Sequence, residues 1–266
     1  MPKFSANLTM LFKEVEFLDR FELAAKAGFK GVEFLFPYDW DKEELQERLM
    51  SHNLELVLHN LPAGHWGAGE RGLACLPNRV GEFRDGLGLA LEYAQALKCP
   101  RLNCLAGIPT VDVAQEDKFA TLVSNVRFAA EEAGKAGIQL LLEALNSQDM
   151  PGFCLSTTRQ VLEVMKAVDH PNVYIQYDVY HMQIAEGNLI GNLTANVNLL
   201  GHLHIADVPG RHEPGTGEIN FPNVLAAVSR AGYEGCVGME MAPTGDPVAA
   251  IKAAARMISL ANGAAS

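Results

Sequence analysis

The stretch that decides the fold is GKAGIQLLLE, residues 134–143. It recurs in outline as AKAGFKGVEF at residues 25–34 and as SRAGYEGCVGMEM at residues 229–241. In each copy an amphipathic helical pattern stops at a glycine, and a short apolar run begins within the next few residues. A helix that leads into a buried strand in this way is typical of a chain that alternates the two elements.

Eight apolar runs of strand length, each bounded by Gly, Pro or polar residues, lie along the chain. They are residues 3–8, 31–36, 55–60, 101–105, 138–144, 173–178, 202–206 and 236–241. Helical patterns separate most of them, at residues 14–26, 42–52, 80–97, 119–136, 157–168, 188–199, 222–231 and 247–261. This alternation predicts an α/β fold, a (β/α)8 TIM barrel. An open doubly wound sheet is the alternative, but no glycine-rich phosphate loop follows an early strand.

The length and composition suit one globular domain. The chain has 266 residues, of which 48% are apolar and 20% charged, and both fractions are ordinary for a globular protein. Barrels run to about 250 residues as one domain. We therefore expect a single domain over residues 1–266, with a frayed small-residue tail at 263–266.

Charge and cysteine usage limit the partners. Lys and Arg total 21 against 32 Asp and Glu, a net charge of −11. A protein that binds the phosphates of a nucleic acid needs the opposite balance of charge. The five cysteines are widely spaced without a CxxC pair, which indicates reduced thiols. The N-terminal residues are charged and lack an apolar stretch, so we expect no signal peptide, and no apolar run approaches the roughly 18 residues of a membrane span. We expect a cytoplasmic protein without membrane or nucleic-acid partners, and leave a homo-oligomer open.

Polar side chains stand at or near the ends of the last four predicted strands, where a barrel of this kind carries its active site. They are Glu143, Asp178, His204 and Glu240. Side chains alternate along a strand, so one choice of phase points each of these residues inward. The same choice points the large apolar neighbours outward in all four strands, namely Leu140, Leu142, Ile175, Tyr177, Leu203, Ile205, Val237, Met239 and Met241. We therefore expect the four polar side chains to converge.

Three carboxylates and one imidazole in a low-dielectric pocket would repel one another unless a cation lay among them. Oxygen-rich ligands with one imidazole suit Mg²⁺ or Mn²⁺, and the absence of a thiol argues against structural zinc. We predict one divalent ion held by Glu143, Asp178, His204 and Glu240. Each residue alone could cap a strand end, but four in one phase favour a shared site.

The chain resembles the hydroxypyruvate isomerases, a branch of the xylose-isomerase-like TIM barrels. The resemblance extends over nearly the whole chain and is carried by HNLPAGHWGAGERG (59–72), LLEALNSQDMPGFCLSTT (141–158), YDVYHMQIAEGNL (177–189) and HIADVPGRHEPGTGEINFP (204–222). It implies a metal-assisted isomerisation between hydroxypyruvate and tartronate semialdehyde, with a small anionic hydroxy-oxo acid as substrate. It also implies that Glu143 and Glu240 are the catalytic acid–base pair and bind the metal with Asp178 and His204.

Several alternatives share this fold. Many hydroxypyruvate isomerases have Gln at the position of His204, whereas His there is similar to the ketose 3-epimerases. A 2-oxo-tetronate isomerase and a ketose 3-epimerase with the same metal site therefore remain alternatives, and a non-catalytic sugar- or metal-binding protein is a further class. A DNA-repair endonuclease on this fold would need a histidine-rich zinc cluster and a basic groove, which the acidic composition disfavours.

An anionic substrate needs a basic partner in so acidic a protein. Arg71 in GAGERG and Arg211 in PGRHEP lie in Gly- and Pro-bounded loops, and an arginine fork binds a carboxylate bidentately. His181 follows the sixth strand by three residues, so a helical turn would bring it over the same mouth to donate to a substrate oxygen. The opposing interpretation gives the arginines surface ion pairs with Glu70 or Glu213, and His181 a packing role.

Overall fold

Eight parallel strands pair in sequence order and close into a barrel, which confirms the predicted (β/α)8 fold. The computed structural model describes residues 3–111 and 113–263, with side chains up to residue 256. The tail predicted to fray thus lies, beyond Gly263, outside the described residues. The strands are β1 (Lys3–Asn7), β2 (Gly31–Glu33), β3 (Glu55–Asn60), β4 (Arg101–Cys104), β5 (Gln139–Glu143), β6 (Val173–Asp178), β7 (Leu200–Ile205) and β8 (Cys236–Met239).

Nine α-helices lie between and after the strands in the described part of the chain. They are α1 (Arg20–Lys26), α2 (Lys42–Ser51), α3 (Val80–Ala96), α4 (Gln115–Lys135), α5 (Thr158–Val168), α6 (Val179–Ala185), α7 (Leu189–Ala195), α8 (Phe221–Arg230) and α9 (Pro247–Gly263). Two predicted helices are shorter than expected. The pattern at 14–26 becomes a 3-10 turn followed by α1, and the pattern at 188–199 becomes α7 followed by a 3-10 turn.

Helix α6 was not among the eight predicted helices, and it begins directly after β6. The Asp178 side chain accepts hydrogen bonds from the backbone N–H groups of Tyr180 (2.8 Å) and His181 (3.3 Å). A carboxylate at this position satisfies N–H groups that have no partner within the helix. The last residue of β6 is therefore also the N-cap of α6, and this fixes where His181 lies.

Two apolar cores hold the barrel together. The larger core packs the outward faces of the strands against the helices and contains Leu140 and Leu142. The smaller core fills the barrel interior with Val57, Leu58, Leu141 and Cys236. Every apolar residue expected to face outward from the last four strands lies in the larger core. This division confirms the predicted strand phase, and the polar residues are left on the interior face.

In the described residues no helix combines the length and the apolar character that crossing a membrane requires. All five cysteines carry free thiols, as their spacing predicts.

Candidate active site

The four polar residues at the ends of β5 to β8 converge as the sequence predicts. One ligand atom each from Glu143, Asp178, His204 and Glu240 lies within 4.8 Å of the others. The strand register explains the convergence, because Asp178 is paired with His204 across β6 and β7. None of the four residues is more than 6% exposed. We call this group the four-residue cluster.

The two glutamates of the four-residue cluster differ in their electrostatic environment. Burial, together with the charges of Glu240 and Asp178, outweighs the charge of His204 and raises the pKa of Glu143 to about 8. Burial also disfavours ionisation of Glu240, but the charges of His204 and Arg211 prevail and lower its pKa to about 2. At neutral pH the first carboxyl therefore holds a proton and the second is ionised.

His204 lies between two carboxylates. Its Nδ1 is 2.8 Å from Oε2 of Glu240, and its Nε2 is 2.8 Å from Oε1 of Glu33. Burial would lower the pKa of His204, but these two carboxylates raise it well above its usual value. The ring thus has a carboxylate at each nitrogen, with Nδ1 on the side of the four-residue cluster.

The cluster fits a hard divalent cation. Its donors are three carboxylates and one imidazole, all buried, and oxygen-rich sets with one nitrogen are the ligands that Mg²⁺ and Mn²⁺ accept. Burial first, and then the charges of Glu240 and Asp178, raise the pKa of Glu143, so ionising all three carboxylates together calls for further positive charge. A divalent ion would supply the missing charge.

Arg211 extends from the loop between β7 and α8 into the cluster. Its Nη2 donates to Asp178 Oδ2 at 2.7 Å and to Glu240 Oε2 at 2.5 Å, and its Nε donates to the Glu240 carbonyl at 3.2 Å. The alternative ion pair with Glu213 does not form, because that carboxylate accepts hydrogen bonds from Thr244. The sequence-predicted arginine therefore lies at the cluster.

His181 lies in the first turn of α6 beside Arg211. Its Nδ1 accepts from the backbone N–H of Asn146 at 3.2 Å and faces the Asn146 side-chain amide nitrogen at 2.7 Å. The side-chain oxygen of Asn146 accepts hydrogen bonds from two backbone N–H groups, which fixes the orientation of the side-chain amide. The proton of the neutral ring must then be on Nε2, only 2.9 Å from Nη1 of Arg211. Two donors thus face each other, and one anionic oxygen lying beside both nitrogens would accept from each.

Arg71 has a different environment. Its guanidinium lies 4.0 Å over the Trp66 ring, and its Nη1 donates to the carbonyls of Trp66 and Glu70. The Glu70 carboxylate pairs with Arg79 instead, so the surface ion pair considered for Arg71 does not form. None of the contacts described for Arg71 reaches the four-residue cluster.

The family model described as "Xylose isomerase-like TIM barrel" matches residues 21–260. The chain belongs to the xylose isomerase-like TIM barrel family. Within it, the chain is 52% identical over 243 residues to hydroxypyruvate isomerase of Escherichia coli strain K12, covering 91% of this chain and 94% of that protein. It is 45% identical over 249 residues to 2-oxo-tetronate isomerase of Haemophilus influenzae, covering 93% of this chain and 96% of that protein.

A solved structure agrees with this assignment. The crystal structure described as AP endonuclease, family 2 from Brucella melitensis superposes with a TM-score of 0.94 at 43% identity, covering 96% of this chain and 99% of that one. The sequence relatives are named as isomerases, and this family member is an isomerase, an intramolecular oxidoreductase. The resemblance to the hydroxypyruvate isomerases is thereby confirmed.

Amide side chains that sequence reasoning did not single out complete the site of this family member. Asn103 in β4 donates to Glu143 Oε2 at 2.9 Å, and Asn7 at the end of β1 donates to Glu240 Oε1 at 3.2 Å. The signal that could have found them is the same period of two, applied to β1 and β4. These amides hold the two glutamates in place from the neighbouring strands, since β4 pairs with β5 and β1 pairs with β8.

Proposed function

We propose that this isomerase interconverts hydroxypyruvate and tartronate semialdehyde with the aid of one divalent ion, Mg²⁺ or Mn²⁺. The observation that carries the proposal is the convergence of Glu143, Asp178, His204 and Glu240 at one buried point. These four residues would hold the ion. When bound, such an ion acts as a Lewis acid that polarises a carbonyl and makes the neighbouring C–H group more acidic.

The two glutamates would move the proton. One carboxylate removes a proton from C3 of hydroxypyruvate, and the electron pair of that C–H bond forms the C2=C3 bond of an enediolate. A proton is then returned to C2, while the C3 hydroxyl loses its proton and the C2 oxygen gains one. Atoms and electrons balance without a co-reactant. Environments that separate the pKa values of Glu143 and Glu240 suit one as base and the other as acid.

Arg211 and His181 would recognise the anionic substrate. Their facing donors, Nη1 and Nε2, lie 2.9 Å apart, so a carboxylate or enediolate oxygen lying beside both nitrogens would accept from each. The Arg211 fork also brings positive charge to the cluster of a chain whose net charge is −11. Arg71, over Trp66, is the second arginine that we propose for substrate binding.

A 2-oxo-tetronate isomerase is the second candidate, because the relative of that name is 45% identical over 93% of this chain. Such a substrate has the same carboxylate and oxo group and one additional carbon, so it would use the same residues. A neutral ketose, by contrast, would offer no anionic oxygen to Nη1 of Arg211, which faces His181.

The test is a substrate panel with controlled metal content. We expect the Mn²⁺-loaded protein to turn over hydroxypyruvate or 2-oxo-tetronate far faster than a neutral ketohexose. Chelation should abolish this activity, and Mn²⁺ or Mg²⁺ should restore it. Full activity in a demonstrably metal-free sample would contradict the Lewis-acid proposal, and preferential turnover of the neutral ketohexose would favour a ketose 3-epimerase.

Replacing the arginines separates carboxylate recognition from a structural role. A charge-assisted hydrogen bond contributes about 1.5–3 kcal/mol, so Arg211→Ala should raise KM for the anionic substrate by about 10- to 150-fold. Arg71→Ala tested in the same assay shows whether the second arginine shares this role. If a neutral substrate loses as much as the anionic one, neither arginine recognises the carboxylate.

A further inference from the structure

A second group of buried titratable side chains lies in the barrel interior next to the four-residue cluster. Glu33 ends β2 and is 1% exposed. Its Oε2 accepts from Ser5 Oγ at 2.7 Å and from His202 Nε2 at 2.9 Å, and its Oε1 accepts from Asn7 Nδ2 at 3.3 Å. The same Oε1 lies 2.8 Å from Nε2 of His204. Three donors thus hold this carboxylate against the ring of a proposed metal ligand.

Strand β8 leaves room for this carboxylate. A Cβ atom added to Gly238 would lie 2.3 Å from Oε1 and 2.5 Å from Oε2 of Glu33. The absence of a side chain at Gly238 therefore lets Glu33 extend across the barrel axis to His204. Glu33 and Gly238 come from β2 and β8, the two strands that flank β1 where the barrel closes.

The contact bears on which nitrogen of His204 can bind a cation, because Glu33 lies at Nε2 while the carboxylate at Nδ1 belongs to Glu240, itself a proposed metal ligand. A ring nitrogen binds a metal through its lone pair, and the proton must then be on the other nitrogen. The Glu33 charge lies at Nε2, although to one side of the N–H direction, and favours a proton there. The Nδ1 atom faces the four-residue cluster, where the Gln176 amide nitrogen lies 3.4 Å away and can donate to its lone pair.

We propose that Glu33 is a positioning residue that keeps the proton of His204 on Nε2 and so presents Nδ1 to the metal. A carboxylate behind a ligating histidine fixes the tautomer and orientation of the ring. Asn7 extends the arrangement, because its amide donates to Glu33 and to Glu240 Oε1. The inference rests on the proposed function, since it requires a divalent ion at the four-residue cluster.

The first experiment measures Mn²⁺ affinity and stoichiometry by titration calorimetry for the wild type, Glu33→Ala, His204→Gln and the double variant. We expect one Mn²⁺ per chain, and a 10- to 100-fold weaker affinity in Glu33→Ala. In the His204→Gln background the same substitution should change the affinity less than about threefold, because its effect acts through His204. Thermal unfolding of each variant reports any purely structural loss.

Three outcomes would overturn the inference. The first is a folded Glu33→Ala protein that binds Mn²⁺ within twofold of the wild type. The second is an equal loss of affinity in both backgrounds. The third is a second Mn²⁺ that disappears with Glu33, since Glu33, His202 and His204 also place three ligand atoms within 4.8 Å of one another. A wild type that binds no Mn²⁺ would instead contradict the proposed function.

A second measurement does not depend on the alanine variant folding. The ¹⁵N chemical shifts of His204 in the Mg²⁺-loaded wild type should show a proton on Nε2 and none on Nδ1. Glu33→Gln keeps the volume and one acceptor oxygen, so it should retain this tautomer and bind Mn²⁺ more tightly than Glu33→Ala. A proton on Nδ1 in the loaded wild type would contradict the proposal without any substitution.

Discussion

Two glutamates of identical chemistry acquire different properties from their neighbours. Glu240 contacts His204 and Arg211, whose charges lower its pKa to about 2. Glu143 is hydrogen-bonded to the neutral amide of Asn103, and burial raises its pKa to about 8. A cation bound between the two glutamates would reduce the difference between their pKa values, but the residues that surround each glutamate would still differ. The neighbours of each glutamate therefore favour different roles for the two in the proposed proton transfer.

Glu143→Gln and Glu240→Gln test those roles. Each substitution keeps the size of the side chain and one coordinating oxygen but removes its basicity. Because a positioned acid or base contributes about 10²–10⁴-fold, kcat at saturating Mn²⁺ should fall at least that far in each variant. The matched control is Glu218→Gln in the exposed loop before α8, which should leave kcat unchanged. Near-normal rates in both cluster variants would require another proton carrier.

At the scale of the elements, the interior of the barrel is tightly packed around β7. Gly201 in β7 shows this, because an added Cβ would lie 2.4 Å from Leu141 Cδ2 and 2.9 Å from Tyr174 Cβ. In contrast, a Cβ added to Gly88 on the exposed face of α3 would meet nothing within 4 Å. A side chain added at Gly201 would therefore collide with its neighbours, whereas a side chain added at Gly88 would lie in open space.

Gly201→Ala should lower the free energy of unfolding by about 1–3 kcal/mol, the usual effect of overpacking a well-packed interior. Gly88→Ala should raise it by up to about 1 kcal/mol, since alanine favours the helix interior. Urea denaturation of both variants against the wild type measures the two changes. If Gly201→Ala is as stable as Gly88→Ala, the barrel interior is looser than described.

His59 in β3 makes the free energy of unfolding depend on pH. The ring is fully buried, burial lowers its pKa to about 4, and among the described residues its Nε2 has no hydrogen-bond partner. The folded pKa is below the unfolded value of about 6.5, so the contribution is complete above pH 6.5 and is lost as the pH falls toward 4.

The expected size of this term is about 2 kcal/mol between pH 7 and pH 5. The free energy of unfolding of His59→Phe should therefore fall less between pH 7 and pH 5 than that of the wild type. The carboxylates contribute equally to the decline in both proteins. Urea denaturation at the two pH values measures the difference. Parallel declines in wild type and variant would show that His59 can be protonated without cost in the folded state.

The sequence predicted the strands and their phase because burial imposes a period of two on them. The outward Leu140 and Leu142 and the inward Glu143 follow directly from that period. It predicted only a helical turn after β6 and not the whole of α6, because seven residues are too few for a helical pattern to stand out. The contact of Glu33 with His204 also escaped, since it depends on the space left by Gly238 across the barrel.

For the molecule as a whole, closure of the barrel brings together residues from its two ends. β1 pairs with β8, so Asn7 donates to Glu240 although 233 positions separate them in the chain. Among the described residues, the same closure surrounds three carboxylates with His204 and Arg211 as local positive charge, inside a protein of net charge −11. The proposed divalent ion and an anionic substrate would complement each other in this setting.

We expect the four-residue cluster to move a proton between adjacent carbons of hydroxypyruvate. The most direct measurement is incubation of the Mn²⁺-loaded protein with hydroxypyruvate in D₂O, followed by NMR of the products after metal removal. We predict tartronate semialdehyde with deuterium at C2 and exchange of the C3 protons of hydroxypyruvate, both lost in Glu143→Gln and Glu240→Gln. Metal binding by the wild type with neither product nor exchange would contradict the account and indicate a protein that binds without catalysing this reaction.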